Sequence, residues 1–285
     1  MNAAALPPAE TIAEDVRRAL AEDIGSGDVT ADLLPAAAHA RARVITREAA
    51  VLCGQAWFEQ CFQALDAGVV VDWACAEGQA VTAGSVLCRL TGPARALVTA
   101  ERAALNFLQT LSATATAAAG YVEAVRGTRT TILDTRKTLP GLRQAQKYAV
   151  RVGGAANHRL GLYDMVLVKE NHIAAAGSIT AAVARARSLH PGIPVEVETE
   201  NFAELREALA AGADRIMLDE FELHELAQAV AEVDGRALLE VSGGISLDRV
   251  RAIAQTGVDF ISVGALTKHV RAVDLSMRIE VGAAG

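Results

Sequence analysis

The chain has 285 residues, enough for about two ordinary domains or one large α/β domain. Apolar residues make up 52% and charged residues 21%, a globular composition that excludes disorder as the main description. Lys and Arg number 27 against 34 Asp and Glu, a net charge of −7, so a generic nucleic-acid or anionic-membrane binder is excluded and any anion site must be a local basic island.

The segment Met1 to Glu14 has no basic opening and carries Pro7, Pro8 and Glu10, so it does not read as a secretory signal, and a cytoplasmic location is expected. A helix is expected over Thr11 to Glu22. Short strand-like runs follow, at 42–47, 69–73 and 85–90, with turn signals at Glu77-Gly78-Gln79 and Thr82-Ala83-Gly84. This part reads as an α+β unit with an antiparallel sheet. Residues 77–84 also have the look of half a lipoyl or biotinyl carrier motif, but 53–95 hold no lysine to modify, so a structural hairpin is the better reading. The four cysteines, Cys53, Cys61, Cys75 and Cys88, form no C-x-x-C pair and no Cys/His cluster, so buried free thiols are expected. Ala103 to Val122 is uncharged, yet Asn106, Gln109, Thr110, Ser112, Thr114 and Thr116 would each need a partner in lipid, so a buried, Ala-rich helix pair is expected there and no membrane span.

Near residue 115 the character changes. Apolar runs at 131–134, 165–168, 195–198, 215–219, 238–241 and 260–263 alternate with amphipathic segments, the βα pattern of a parallel sheet. One intervening helix opens at Asn201 with Glu204 three residues on and stops at Gly212, an N-cap and a C′ glycine. Six such units predict a barrel short of the usual eight. Function in a βα barrel lies at the C-terminal strand ends, and here these carry Asp134 to Thr138, Lys169 to His172, Glu198, Asp219-Glu220, Ser242-Gly243-Gly244 and Gly264-Ala265.

Gly243, Gly244 and Gly264 follow the last two strands, where barrels hold phosphate on backbone N–H groups; the alternative is that they only turn the chain. Between residues 136 and 169 stand Arg136, Lys137, Arg143, Lys147, Arg151, Arg159 and Lys169 against the single acid Asp164. A solvated helix face accounts for Arg143, Lys147 and Arg151. It does not account for Arg136, Lys137 and Lys169, which follow buried strands and need an anionic partner. His158 and Arg159 complete a donor set suited to carboxylates, Arg being able to bind one in a bidentate fork. Glu198 and Asp219 are hard-oxygen ligands suited to Mg²⁺ beside phosphate, or else ion-pair partners of Lys137 and Lys169. Lys169 alone also admits a Schiff-base reading.

The runs Thr135-Arg136-Lys137-Thr138, His158-Arg159, 166–172, 195–198, Leu218-Asp219, Ser242-Gly243-Gly244-Ile245 and 261–267, with 22–30, 47–54 and 101–109 in the N-terminal half, together resemble the quinolinate phosphoribosyltransferase family. The resemblance implies an α/β protein with an N-terminal α/β sandwich domain over 1–114, joined by 270–285, and an incomplete, open α/β barrel of about six parallel strands over 115–269. It implies decarboxylating transfer of phosphoribose from phosphoribosyl pyrophosphate to quinolinate, in a homodimer where Arg102 acts across the interface; a nicotinate phosphoribosyltransferase of the same fold is the alternative. Arg102, Arg136, His158, Arg159 and Lys169 would then hold quinolinate. Lys137, Lys169, Glu198, Asp219, Ser242, Gly243, Gly244 and Gly264 would hold phosphoribosyl pyrophosphate, with Glu198 and Asp219 on Mg²⁺ and Lys137, Glu198 and Asp219 catalytic. Many members of the family place His directly after the Gly-Ala-Leu-Thr run, whereas here Lys268 precedes His269.

Overall fold

Two hydrophobic periodicities build two compact units in the computed structural model, which describes residues 4–281. Among these, the first unit takes in residues up to 119, 138–154 and those from 267 on, and the second 120–137 and 155–266.

In the first unit, strand β1 (His39–Thr46) alternates exposed and buried residues, as a half-buried strand must. It pairs antiparallel with β5 (Val86–Pro93) and with β12 (Leu275–Val281), the returning end of the described chain, and β5 pairs in turn with β3 (Val70–Trp73). The apolar face of this sheet shares one core with helices α1 (Ala9–Ile24) and α2 (Gln55–Gln63). Trp57 is fully buried at its centre, and its indole N–H donates to Asp15 Oδ2 at 3.1 Å, so the one polar atom of the ring is satisfied. The two-residue strands β2 (Ala50–Val51) and β4 (Ala80–Val81) pair antiparallel beside it. Glu77, between β3 and β4, accepts the backbone N–H groups of Gly54 (2.8 Å) and Gln55 (3.2 Å) and so caps α2, whose own N-cap glycine has no side chain. All four cysteines are free thiols, three of them buried, and burial pushes Cys61 up to about 12.

The stretch expected as a helix pair is one 31-residue helix, α3 (Ala94–Ala124). No proline or turn chemistry interrupts it, and its polar residues are satisfied without a break. Thr114 and Thr116 donate back to the carbonyls of Thr110 and Ser112, while Ser112 Oγ bonds the backbone of Cys53. No helix among the described residues is long and apolar enough to cross a membrane.

The single boundary expected at 114/115 does not follow the packing. Helix α4 (Arg143–Val152) comes after the first barrel strand, yet its Ala145, Tyr148 and Ala149 belong to the core containing Trp57. Gly153, just past α4, lies so close to α3 that a Cβ there would stand 2.3 Å from the Ala115 carbonyl oxygen.

The second unit is the six-stranded parallel sheet. Its strands are β6 (Thr131–Leu133), β7 (Val166–Val168), β8 (Val195–Thr199), β9 (Arg215–Leu218), β10 (Leu238–Val241) and β11 (Phe260–Ser262), in the order β6-β11-β10-β9-β8-β7. That is the order of a barrel interrupted between its first two strands, where Ala156 bridges to the free side of β6. Helices α5 (Glu170–Ala176), α6 (Ile179–Leu189), α7 (Phe202–Ala210), α8 (Leu223–Val233) and α9 (Leu247–Gln255) connect the strands, and the short α10 (Ala265–Lys268) follows the last. Asn201 caps α7, its side chain accepting the Glu204 N–H, and Gly212 follows the helix with φ 77°.

Candidate active site

Successive strand residues face opposite sides, so alternate residues of each barrel strand form layers inside the sheet. One cavity of about 220 Å³ opens on that inner side at the C-terminal strand ends. It is lined by Arg136 and Lys137 after β6, His158 and Arg159, Lys169 after β7, Glu198 of β8 and Ser242 after β10, all from the second unit. Seven of the twelve residues proposed from sequence therefore meet at one place.

Asp134 sets the loop that brings His158 there: fully buried, it accepts the His158 backbone N–H at 2.9 Å and the Asn157 side-chain amide at 2.7 Å. The short helix α5 sets Lys169, which is its N-cap and whose N–H donates to His172 Nδ1 at 3.0 Å. Lys169 Nζ is ion-paired with Glu198 Oε2, the arrangement kept open as an alternative above. Burial lowers the Arg159 pKa, and the Arg136 charge pushes the same way, with Glu196 and Asp164 acting against both.

Asp219 stands at the same rim. Its pKa is raised by burial and then by the charges of Glu198 and Glu220, with Lys169 acting the other way. Glu220 has φ 59°, a left-handed conformation uncommon outside glycine, in the loop that presents Asp219. Gly243 meets Asp219 directly, since a Cβ there would lie 2.9 Å from Asp219 Oδ1, and its φ is 92°. Gly243 and Gly244 also line a neighbouring cavity of about 430 Å³ at the entrance to α9. A Cβ on Gly264 would come within 3.2 Å of Lys137 Cδ, so this glycine lets the lysine lie flat across the strand end. Arg102 is exposed on α3 and belongs to the first unit. The solvated-face reading fails for Lys147, which is fully buried in α4.

Beneath the rim lies a charged layer that the inspection of strand ends missed. Glu196 of β8 and Glu240 of β10 are fully buried, and His158 Nε2 lies 3.0 Å from Glu196 Oε2 and 3.4 Å from Glu240 Oε1. Arg215 of β9 donates to Glu240 Oε2 at 2.8 Å and lies 4.2 Å over the Phe260 ring. Burial pushes the His158 pKa down, and the two carboxylates more than reverse it, carrying it to about 9. Against this, the Arg159 backbone N–H donates to Nδ1 at 2.7 Å, an acceptor role that only the unprotonated ring nitrogen fills, so in this arrangement the ring proton sits on Nε2, facing the two carboxylates. In Glu196 burial prevails and the pKa rises, whereas in Glu240 the contacts with His158 and Arg215 prevail and it falls. These three side chains converge closely enough to ligate a cation, but the Arg215 guanidinium already neutralises Glu240. The only sequence signal was a Glu inside each of two apolar strands, at a position facing the barrel interior.

A parallel barrel with glycine loops, paired carboxylates and converging cations at one rim is the architecture of an enzyme that handles a phosphorylated and a carboxylated substrate together. Comparison with known proteins places it. The description "Quinolinate phosphoribosyl transferase, N-terminal domain" matches residues 28–112 and its C-terminal counterpart residues 114–278. A probable carboxylating nicotinate-nucleotide pyrophosphorylase of Synechocystis sp. is 44% identical over 96% of this chain and 94% of its own, and the Mycobacterium leprae enzyme of that name is 42% identical over 93% and 95%. The solved structure of the nicotinate-nucleotide pyrophosphorylase from Francisella tularensis superposes with a TM-score of 0.94 at 46% identity, covering 98% of this chain and all of that one. The chain belongs to the quinolinate phosphoribosyl transferase family.

Proposed function

We infer that the protein transfers phosphoribose from phosphoribosyl pyrophosphate to quinolinate and decarboxylates the product, giving nicotinate mononucleotide, diphosphate and CO₂ in NAD biosynthesis. The observation that carries this is the convergence of Arg136, Arg159, Lys169 and His158 on one small cavity whose rim holds Glu198 and Asp219. Several fixed cations suit two adjacent carboxylates better than one.

The donor lies along Lys137, Ser242, Gly243, Gly244 and Gly264, where the absence of side chains on the glycines leaves backbone N–H groups open to phosphate. Glu198 and Asp219 fit Mg²⁺: two carboxylates converge, burial and then the Glu198 charge raise the Asp219 pKa, and the missing Cβ of Gly243 leaves Asp219 Oδ1 uncrowded. A Mg²⁺ held there by Glu198 and Asp219 would supply neutralisation of the charge that develops on departing diphosphate. Lys137 assists in that neutralisation, and the Glu198 and Asp219 carboxylates face the cationic character that grows at ribose C1. Lys169, paired with Glu198 in this structure, shifts its donation to the incoming dianion. Arg136 and Arg159 orient the ring so that its nitrogen forms the new bond to C1 as the C1–diphosphate bond breaks, the bonding pair leaving with diphosphate. In the quaternised ring the bond to the 2-carboxylate then breaks, its electron pair stays on C2 next to the cationic nitrogen, and C2 takes a proton while CO₂ departs. The enzyme acts as a cytoplasmic homodimer, in which Arg102 of one protomer reaches the site of its partner.

The test is a turnover assay with phosphoribosyl pyrophosphate and Mg²⁺, offering quinolinate or nicotinate and following mononucleotide and CO₂. Quinolinate should give one CO₂ per mononucleotide and nicotinate nothing. Turnover of nicotinate alone would make the dicarboxylate assignment wrong, and CO₂ release from quinolinate without the phosphoribosyl donor would overturn the order of steps.

A further inference from the structure

The outer face of the antiparallel sheet carries a charge arrangement that the fold itself does not need. On β1, Arg41 and Arg43 alternate with the buried Ala42 and so point away from the core, and the strand pairing sets Arg43 between Arg278 of β12 and Arg89 of β5. Like charges directly opposite one another weaken a sheet, and here three stand in one row. We propose that these four arginines form a second anion site, built wholly in the first unit, that binds a linear inorganic oligophosphate of three or more phosphates. It is independent of the phosphoribosyl-transfer reading, which gives these residues no part.

All four arginines are exposed and line an open groove of about 580 Å³. None of their guanidinium groups makes a hydrogen bond or ion pair among the described residues. Exposed arginines elsewhere do, as Arg187 does with Asp214 at 3.2 Å and Arg206 with Glu232 at 2.6 Å. Two acids line the same groove, Glu280 opposite Arg41 and Asp72 opposite Arg89, and four cations against two leave this face positive in a chain of net charge −7. Across two strand spacings the row covers about 10 Å, more than one phosphate group and enough for a chain of them. Each guanidinium offers a fork of donors that matches phosphate oxygens. The choice of occupant follows from what the groove lacks. Among the described residues no aromatic ring lines it, so a nucleotide base or a single-stranded nucleic acid gains no stacking there. Its middle is charged, whereas the centre of a protein interface is depleted of charge.

Inorganic tripolyphosphate, titrated calorimetrically into the full-length protein at low salt without divalent ions, should bind at a site that the double substitution Arg43→Thr, Arg89→Gln weakens at least tenfold. Added NaCl should weaken it too, because exposed charges are screened. The same site should persist in Lys137→Ala, which strikes the barrel cavity instead. Threonine is a good strand former and Arg43→Thr removes two opposed like-charge pairs, so the unliganded variant should melt no lower than the wild type and its loss of binding is not a loss of fold. Tripolyphosphate should raise the melting temperature of the wild type more than that of the variant. Binding that is unchanged in the double variant, or abolished by Lys137→Ala, would overturn the proposal, as would no binding at millimolar tripolyphosphate. ATP or a single-stranded RNA binding tenfold more tightly than tripolyphosphate would overturn the choice of occupant. Failure of the wild-type enzyme to turn over quinolinate would strike only the functional reading, since none of these measurements uses activity.

Discussion

Gly243 shows how narrowly the site is drawn. Its φ of 92° strains any L-residue, and a methyl group would press against Asp219 at 2.9 Å. Gly243→Ala should therefore raise the KM for phosphoribosyl pyrophosphate at least tenfold while the quinolinate KM holds, which steady-state kinetics with each substrate varied will read. Arg159→Leu should do the converse. A hydrogen bond to a charged partner contributes about 1.5–3 kcal/mol, so the quinolinate KM should climb roughly 10- to 100-fold. His158 makes a statement about stability. Its folded pKa of about 9 lies above the ordinary 6.5, so its ion pairs contribute fully below pH 6.5 and the contribution is lost as pH rises through 9. The unfolding midpoint should fall across that interval, and fall less in His158→Gln.

At the scale of elements, the strands were legible because each is a short apolar run ending in a polar cluster, and those clusters held the rim residues from Arg136 to Ser242. The charged layer beneath was not, since Glu196 and Glu240 lie inside apolar runs and only the curl of the sheet turns them toward His158. The division of α4 from the barrel was hidden too. Its periodicity is that of any amphipathic helix, and nothing local says which core its apolar face will join. The carrier-like stretch has its explanation in Glu77, which caps α2 from a distant part of the chain and accepts the Tyr148 hydroxyl at 3.0 Å. Glu77→Ala should cost about 1–2 kcal/mol in chemical denaturation, with kcat at 25 °C little changed.

For the whole molecule, the proposed function makes activity depend on assembly and on a divalent metal. Chelation of divalent ions should abolish turnover, and Mg²⁺ should restore it. If Arg102 serves its partner's site, then Arg102→Ala and Glu198→Gln homodimers, each nearly inactive, should regain about a quarter of wild-type activity after dissociation and remixing, because half of the random dimers carry one intact site. No recovery would place Arg102 in its own chain's site.

Strand β8 serves both layers, with Glu196 under the cavity and Glu198 on its rim two residues later. That spacing ties the two to a single reading frame. Loss of one residue ahead of Glu196 would slip the strand by one place, turning both acids toward the helices and pointing Val195, Val197 and Thr199 at the substrate instead. Length variation among descendants of this chain should therefore be absent from β8 and find its outlet in the turns that follow the helices.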